Sequence, residues 1–177
     1  EADFMPRLSV QQVTRMENNS AVTVDTSTGA QIYYLAMRSQ SSANPVMAEK
    51  DFRTALAKGI DKAGYVEYMM QGYADEAKSV IGPEIFGYEP EAEEHDIAYD
   101  PEGAKAILDA HPGWADEEIL FLVPSTSAYA KIGEYMQSSL TQAGFNDIKI
   151  ESIDYSAWTT ESKEDGRFDI TVSAWMN

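Results

Sequence analysis

Residues 49–62, EKDFRTALAKGIDK, are the stretch of sequence that does most to indicate the fold. Its apolar residues recur at the three- and four-residue spacing of one helical face, and they are Phe52, Ala55, Leu56, Gly59 and Ile60. Asp61 follows directly and is suited to cap a second helix, predicted over 62–71, because an Asp side chain accepts hydrogen bonds from free amides. We expect Arg53 to tie the first helix to a neighbouring acidic group. The stretch thus predicts a core helix that packs against a sheet.

Outward from this stretch, strand-like and helix-like segments alternate along the chain. Apolar and β-branched runs bounded by turn residues predict strands at 1–5, 21–26, 31–37, 119–123, 147–155 and 168–175. Helical periodicity predicts helices at 8–18, 101–111 and 127–143, with a short helix or loop at 156–166 and a long ordered loop at 73–99. Interleaving of this kind is typical of an α/β structure, with a mixed or mostly parallel sheet flanked by helices. The length of 177 residues fits one domain.

The composition of the chain excludes several classes of binding partner and of chemistry. Asp and Glu number 30 against 13 Lys and Arg, which gives a formal net charge of -17. A chain this acidic lacks the basic face that binding to phosphate backbones requires, so no nucleic-acid partner is predicted. Cysteine is absent, which excludes thiol catalysis, disulfides and thiolate metal sites. No metal site and no cofactor are predicted.

The sequence carries none of the motifs that mark the common enzyme classes. It has no Gly-rich phosphate loop, no nucleophile elbow and no dinucleotide fingerprint. Ser125, Ser127 and Ser156 have no histidine near them in the sequence, and His95 and His111 are interpreted as structural. No catalytic residue is therefore predicted.

Aromatic residues are concentrated on or just after the predicted strands, and these are Tyr33, Tyr34, Tyr155, Trp158 and Trp175. Ligand sites in open α/β sheets form at the carboxyl ends of strands, where aromatic rings can stack on a ligand. The same side chains could instead cover the sheet. The pattern is thus compatible with aromatic rings at a ligand and with rings that cover the sheet.

The order of motifs along the chain resembles one family. The segments QIYYLAMRS, DFRTALAKGIDK, MMQGYADEAKSVIG and YDPEGAKAILDA are followed by ILFLVPST, EYMQSSLTQAGF with IKIESIDY, and GRFDITVSAW. This order resembles the extracellular solute-binding proteins of the peptide/nickel ABC-transporter family, family 5, over almost all 177 residues. Members of that family are longer and fold as two lobes around a ligand cleft. The resemblance implies that residues 1–177 are a single α/β lobe, most of the C-terminal one, excised from a longer protein.

The resemblance also implies where a ligand would bind. The strand ends after Met37, Asp154 and Thr171 are expected to converge on one edge of the sheet. Arg38 stands where the family usually has Asn, and it either pairs with a carboxylate of the ligand or reaches solvent. The residues expected at the ligand are Arg38 for charge, Tyr155 and Trp175 as aromatic walls, Ser156 and Ser173 for hydrogen bonds, with Met37, Trp158 and Asn177 beside them.

The function implied by the resemblance is that of the substrate-binding component of an ABC importer, which recognises an oligopeptide or dipeptide between its lobes. In related proteins the tryptophan-containing strand pairs with an extended peptide as with an added strand. The implied partners are a peptide or other small solute and an ABC permease; the protein would be monomeric and extracytoplasmic, in the periplasm or anchored as a lipoprotein. The alternatives are a ligand such as a nickel chelate or a sugar, an α/β hydrolase or transferase domain, or a pure interaction domain.

Overall fold

A computed structural model describes residues 4–5, 8–27, 29–40 and 42–175 of the chain. Its strands are β1 Ile32–Met37, β2 Ile119–Pro124, β3 Ile148–Ile153 and β4 Ile170–Trp175. They form one sheet in the order β1-β4-β2-β3. Strand β1 is antiparallel to β4, whereas β2 is parallel to both β3 and β4. The predicted mixed sheet is confirmed.

Helices lie at the positions that the periodicity predicts. They are α1 Val10–Glu17, α2 Lys50–Lys58, α3 Lys62–Gly64, α4 Pro101–Ala110, α5 Ser127–Gln142 and α6 Tyr155–Glu161. The helix predicted over 62–71 is α3 followed by a π-helical turn at Tyr65–Met69. Among the described residues, no helix has the length and hydrophobicity of a membrane span.

Side-chain caps begin two of these helices, and the cap by Asp61 is predicted from the sequence. The carboxylate of Asp61 accepts a hydrogen bond of 2.8 Å from the amide of Gly64. The carboxylate of Asp100 accepts one of 2.8 Å from the amide of Gly103. Each cap satisfies an amide that the first helical turn leaves free, so both helices start where a short acidic residue precedes them.

Arg53 has a different partner from the one expected. Its Nη1 atom donates to the carbonyl oxygens of Met47 and Ala48, at 2.8 and 2.9 Å. The expectation of an acidic partner is wrong, because the 3₁₀ turn Pro45–Ala48 immediately precedes α2 and presents these carbonyls to the guanidinium. The residue still has a structural contact, in that it joins the turn to the helix.

The core lies on the face of the sheet that α2 and α5 cover, here called the core face. Phe121 and Ile170 are paired across β2 and β4, and both are fully buried. Phe52 and Leu56 of α2 belong to the same cluster of buried residues. The prediction that 49–62 packs against the sheet is confirmed.

One predicted strand is not found among the described residues, and another lies mostly outside them. Residues 21–26 have the alternating valines of a strand, but they are not paired with any strand among the described residues, and Val22 is 44% exposed. Alternation predicts a strand only where one face becomes buried, which does not happen here. The strand predicted at 1–5 lies mostly outside the described residues, and Phe4 and Met5 are exposed and not in a strand.

Candidate functional site

The strand directions separate the predicted site residues into two groups. Because β1 is antiparallel to β4, Met37 pairs with Ile170, the first residue of β4, while Trp175 pairs with Ile32. The carboxyl end of β1 is therefore at the opposite end of the sheet from the carboxyl end of β4. The expectation that the strand ends after Met37, Asp154 and Thr171 converge on one edge is wrong, because it treated β1 as parallel to the other strands.

Arg38 consequently lies far from Trp175 along the sheet and is held within the lobe. Its Nη2 atom donates to the carbonyl of Ser162 at 2.8 Å, and Nη1 is 3.4 Å from a carboxylate oxygen of Asp165. The guanidinium carbon is 4.5 Å from the centre of the Phe168 ring, a cation–π distance. The side chain is 19% exposed, so the alternative in which it reaches solvent is not observed.

At the carboxyl end of β4, aromatic and aliphatic side chains line an open depression of about 420 Å³. Its lining is Tyr34, Val80, Ile81 and Trp175, and this set is called the aromatic depression below. Tyr34 pairs with Ser173 across β1 and β4, and alternate residues of a strand share a face. Tyr34, Ser173 and Trp175 therefore share the face of the sheet opposite the core face. Trp175 is 52% exposed.

Helix α6 places a second aromatic pair at the same end of the sheet. The rings of Tyr155 and Trp158 stack with centroids 5.6 Å apart, and Tyr155 is 47% exposed. The indole Nε1 of Trp158 donates to Oγ1 of Thr171 at 2.8 Å, and that hydroxyl donates to the carbonyl of Leu122 at 2.7 Å. Trp158 is thereby fixed to the sheet, and it supports the more exposed ring of Tyr155.

Ser156 takes part in the cap of α6. The carboxylate Oδ1 of Asp154 accepts from the amide and from the hydroxyl of Ser156, at 2.8 and 2.5 Å. These hydrogen bonds lower the pKa of Asp154 because they favour the charged carboxylate. The hydroxyl predicted to bind a ligand thus already has a partner in the helix cap.

Tyr129 of α5 also lies at this end, and no sequence pattern singles it out. Its ring meets that of Tyr33 edge to face at 5.7 Å. Burial raises the pKa of Tyr129, and the nearby phenols of Tyr33, Tyr155 and Tyr34 raise it further. Val80 and Ile81 were missed as well, because they lie in a loop without periodicity.

The hydrogen-bonded pairing of β4 differs on its two sides. On one side β4 pairs with β1 from Ile170 to Trp175. On the other side its pairing with β2 covers only Ile170 and Thr171. Among the described residues, the segment 172–175 therefore has a strand partner on the β1 side alone. This segment runs beside the aromatic depression.

Two further predictions concern Asn177 and the presence of a metal site. Asn177 lies outside the described residues. Within the part of the chain that the structure describes, no three His, Cys, Asp or Glu side chains come together in an arrangement that could hold a metal ion.

The described residues thus form an α/β lobe with an aromatic depression at the end of a partly unpaired strand. Comparison with known proteins identifies the family: the chain belongs to the bacterial extracellular solute-binding proteins of family 5, whose middle region it matches over residues 1–177. This confirms the resemblance read from the motifs, and it favours a binding protein over an enzyme, because the family is one of solute-binding proteins.

The relatives carry names that refer to peptides and to nickel. The Escherichia coli dipeptide-binding protein is 24% identical over 182 residues, covering 99% of this chain and 32% of that protein. The Helicobacter pylori periplasmic binding protein DppA, solved in complex with the peptide STSA, is 22% identical with a TM-score of 0.77, covering 96% and 31%. NikA from Staphylococcus aureus, solved with Ni(L-His)2, is 26% identical with a TM-score of 0.74, covering 95% and 35%. The chain thus spans about a third of the length of these relatives, as expected of one lobe.

Proposed function

We propose that this chain is one lobe of an extracytoplasmic solute-binding protein that captures a peptide and delivers it to an ABC permease. The family and the dipeptide-binding relative support the class of protein. A second lobe would complete the cleft, and closure of the two lobes on the solute would exclude water from the polar contacts. A monomeric state and a location in the periplasm or on a lipid anchor stay predictions of this proposal.

The observation that carries the proposal is the partly unpaired strand β4. Beyond Thr171 its β2 side has no strand partner among the described residues, so an extended peptide could add there through main-chain hydrogen bonds. The aromatic depression lies next to this segment and offers an apolar surface to one side chain of the peptide. In recognition of this kind, main-chain hydrogen bonds supply affinity for any extended peptide, and the depression adds selectivity for one side chain.

In this proposal the predicted residues have different roles. Trp175, Tyr155 and Ser173 face the bound peptide, and Asn177 stands two residues after Trp175 in the sequence. Trp158 and Ser156 position the carboxyl end of β3 and helix α6 through their hydrogen bonds. Met37 and Arg38 are left out, because they lie at the other end of the sheet.

An NMR titration of the 177-residue chain with a dipeptide such as Ala-Leu tests the proposal. We expect saturable shifts of the amides in 172–175 at millimolar peptide, because one lobe supplies half of a cleft. The variant Trp175→Leu should weaken the response, and Phe86→Leu is the control because Phe86 is fully exposed and outside the depression. Shifts confined to the Arg38 end, or a submicromolar dissociation constant, would contradict the half-site geometry.

A nickel chelate is the competing ligand, since one relative was solved with Ni(L-His)2. The same titration is therefore repeated with that complex in place of the dipeptide. If the amides of 172–175 shift with the chelate and do not shift with the dipeptide, the ligand class is a metal chelate and not a peptide.

A further inference from the structure

A second cavity lies on the helical side of the sheet, away from β4. It encloses about 220 Å³ between α5, the π-helical turn and the loop before α4. Its lining is Asp61, Tyr68, Tyr99, Tyr135, Ser138, Ser139 and Gln142, and it is called the tyrosine pocket below. Drug-sized ligands occupy roughly 300–1,000 Å³, so a pocket of this volume suits a smaller molecule.

The charge in the tyrosine pocket is that of one carboxylate. Oδ1 of Asp61 caps α3, and Oδ2 lies 3.2 Å from the hydroxyl of Tyr135, which donates to it. Gly64 makes this approach possible, since a Cβ atom there would be 2.2 Å from Oδ2 of Asp61 and 2.4 Å from the Tyr135 hydroxyl. The carboxylate is therefore held in a fixed orientation at the wall of the pocket.

Basic side chains do not compensate this carboxylate within the pocket. None of its described lining residues is Lys or Arg. The neighbouring Lys62 has its ammonium 2.5 Å from Asp96 and 3.7 Å from Glu76 instead. Burial, followed by the charge of Asp61, raises the pKa of Tyr135 to about 12, and the phenols of Tyr68 and Tyr99 contribute to the same shift. All three phenols line the same pocket as the Asp61 carboxylate.

We infer that the tyrosine pocket binds a small organic cation, of the quaternary or alkylated ammonium class. Three tyrosine side chains line the pocket, aromatic rings of this kind attract such cations, and Asp61 supplies the opposite charge. The hydroxyl of Ser138 and the side-chain carbonyl of Gln142 belong to exposed lining residues, and both could accept a hydrogen bond from an ammonium that retains a proton. This site is separate from the proposed peptide site, since α5 covers the core face and the aromatic depression lies on the opposite face.

The probe is tetramethylammonium chloride, titrated into the 177-residue chain and followed by the amide shifts of Gly64 and Tyr68. We expect saturation in the millimolar range, and tert-butanol, a neutral molecule of similar shape, should produce no saturable shift. Sodium chloride at the same concentrations corrects for ionic strength. Equal responses to the cation and to tert-butanol would overturn the inference, as would no saturable response to either.

Two variants test the chemistry without removing the fold. Asp61→Asn keeps a good helix-capping residue but removes the charge, and it should weaken binding of the cation about tenfold. Tyr68 is 67% exposed, so Tyr68→Leu removes one ring at little cost in stability and should weaken binding about threefold. Phe86→Leu is the matched control on an exposed aromatic outside the pocket. Unchanged affinity in both pocket variants would overturn the assignment, and neither result depends on whether the chain binds peptides.

Discussion

Large apolar side chains on the core face and at the carboxyl end of β4 differ greatly in how far they are buried. On the core face, Phe121 and Ile170 are fully buried beneath α2 and α5. At the carboxyl end of β4, Tyr155 and Trp175 are 47% and 52% exposed. The difference shows that apolar character alone does not separate buried from exposed positions, because the burial of a side chain depends on the elements that pack over it.

The comparison also has an energetic consequence. Fully burying a large apolar side chain contributes about 1.5–3 kcal/mol relative to leaving it exposed, and truncation in a core adds a cavity term. A half-exposed ring contributes much less to folding. Substitutions on the core face should therefore change stability, whereas substitutions at the carboxyl end of β4 should change binding.

The largest effect is expected for Phe52→Ala. Phe52 is fully buried, and its ring meets those of Trp114 and Phe145 edge to face at 5.3 and 5.7 Å. We expect a loss of about 3–5 kcal/mol in the free energy of unfolding, measured by urea denaturation. The control Phe86→Ala, at a fully exposed position, should change it by less than about 0.5 kcal/mol. A loss below about 1 kcal/mol for Phe52→Ala would show that α2 is not part of the core.

A smaller loss is expected for Gly59→Ala. A Cβ atom at this position would be 3.0 Å from both Cβ of Ala143 and Cδ2 of Leu140, so the end of α5 would have to move. Overpacking of this kind costs roughly 1–3 kcal/mol. The matched control is Gly29→Ala, where nothing lies within 4 Å of the added atom. Equal unfolding free energies for the two variants would mean that α2 and α5 are not in close contact.

The core face could be predicted from the sequence because burial imposes a period. Phe52, Leu56 and Ile60 recur at helical spacing, and all are buried. The caps at Asp61 and Asp100 were predictable for a similar reason, since each is a local hydrogen bond between residues three apart. Local capping hydrogen bonds and the periodic spacing of buried residues therefore account for the helices and strands and for most of the core.

The candidate site was predictable only in part. Trp175 and Tyr155 were found because they are aromatic and follow strands. Arg38 was misplaced because strand direction depends on pairing between residues more than 130 positions apart, as in Met37 with Ile170, and the sequence pattern carries no sign of it. Val80 was missed because it lies in a loop, where no helical or strand periodicity indicates which side chains line a site.

Thr171→Val tests how the side chain of Trp158 is fixed to the sheet. The Thr171 hydroxyl accepts from Nε1 of Trp158 and donates to the carbonyl of Leu122, so its loss leaves two polar groups without this partner. We expect a loss of about 1–2 kcal/mol and a change in the near-UV circular dichroism of tryptophan. Thr171→Ser, which keeps the hydroxyl, should restore the spectrum. An unchanged spectrum in the valine variant would contradict the role of this hydroxyl in orienting Trp158.

A pH-dependent effect of smaller size is expected for the ion pair between Arg167 and Glu151. Two hydrogen bonds of 2.6 and 2.8 Å join the guanidinium to the carboxylate, and they lower the pKa of Glu151 below its usual value of 4.5. A depressed carboxyl pKa stabilises the fold above 4.5, and this contribution is lost as the pH falls through the lower, folded-state pKa.

The measurement is the difference in unfolding free energy between the natural chain and Arg167→Gln, taken at neutral pH and near pH 3. The pair is partly exposed, so the difference should be no more than about 1 kcal/mol at neutral pH and should shrink in acid. Lys131→Gln, at an exposed position, should show no such change with pH. A difference for Arg167→Gln that grows in acid would contradict the sign of the shift.

The smallest change in stability is expected for Trp175→Leu, which is also the most direct test of the comparison. Because about half of this side chain is already exposed, we expect the free energy of unfolding to change by less than about 0.5 kcal/mol, while the amide shifts caused by a dipeptide at 172–175 weaken. Urea denaturation and the titration are carried out on the same preparation. A loss of stability comparable to that of Phe52→Ala would place Trp175 in the core and remove it from the proposed site. Full stability with a weakened peptide response would mean that this aromatic residue contributes its surface to the solute rather than to the fold.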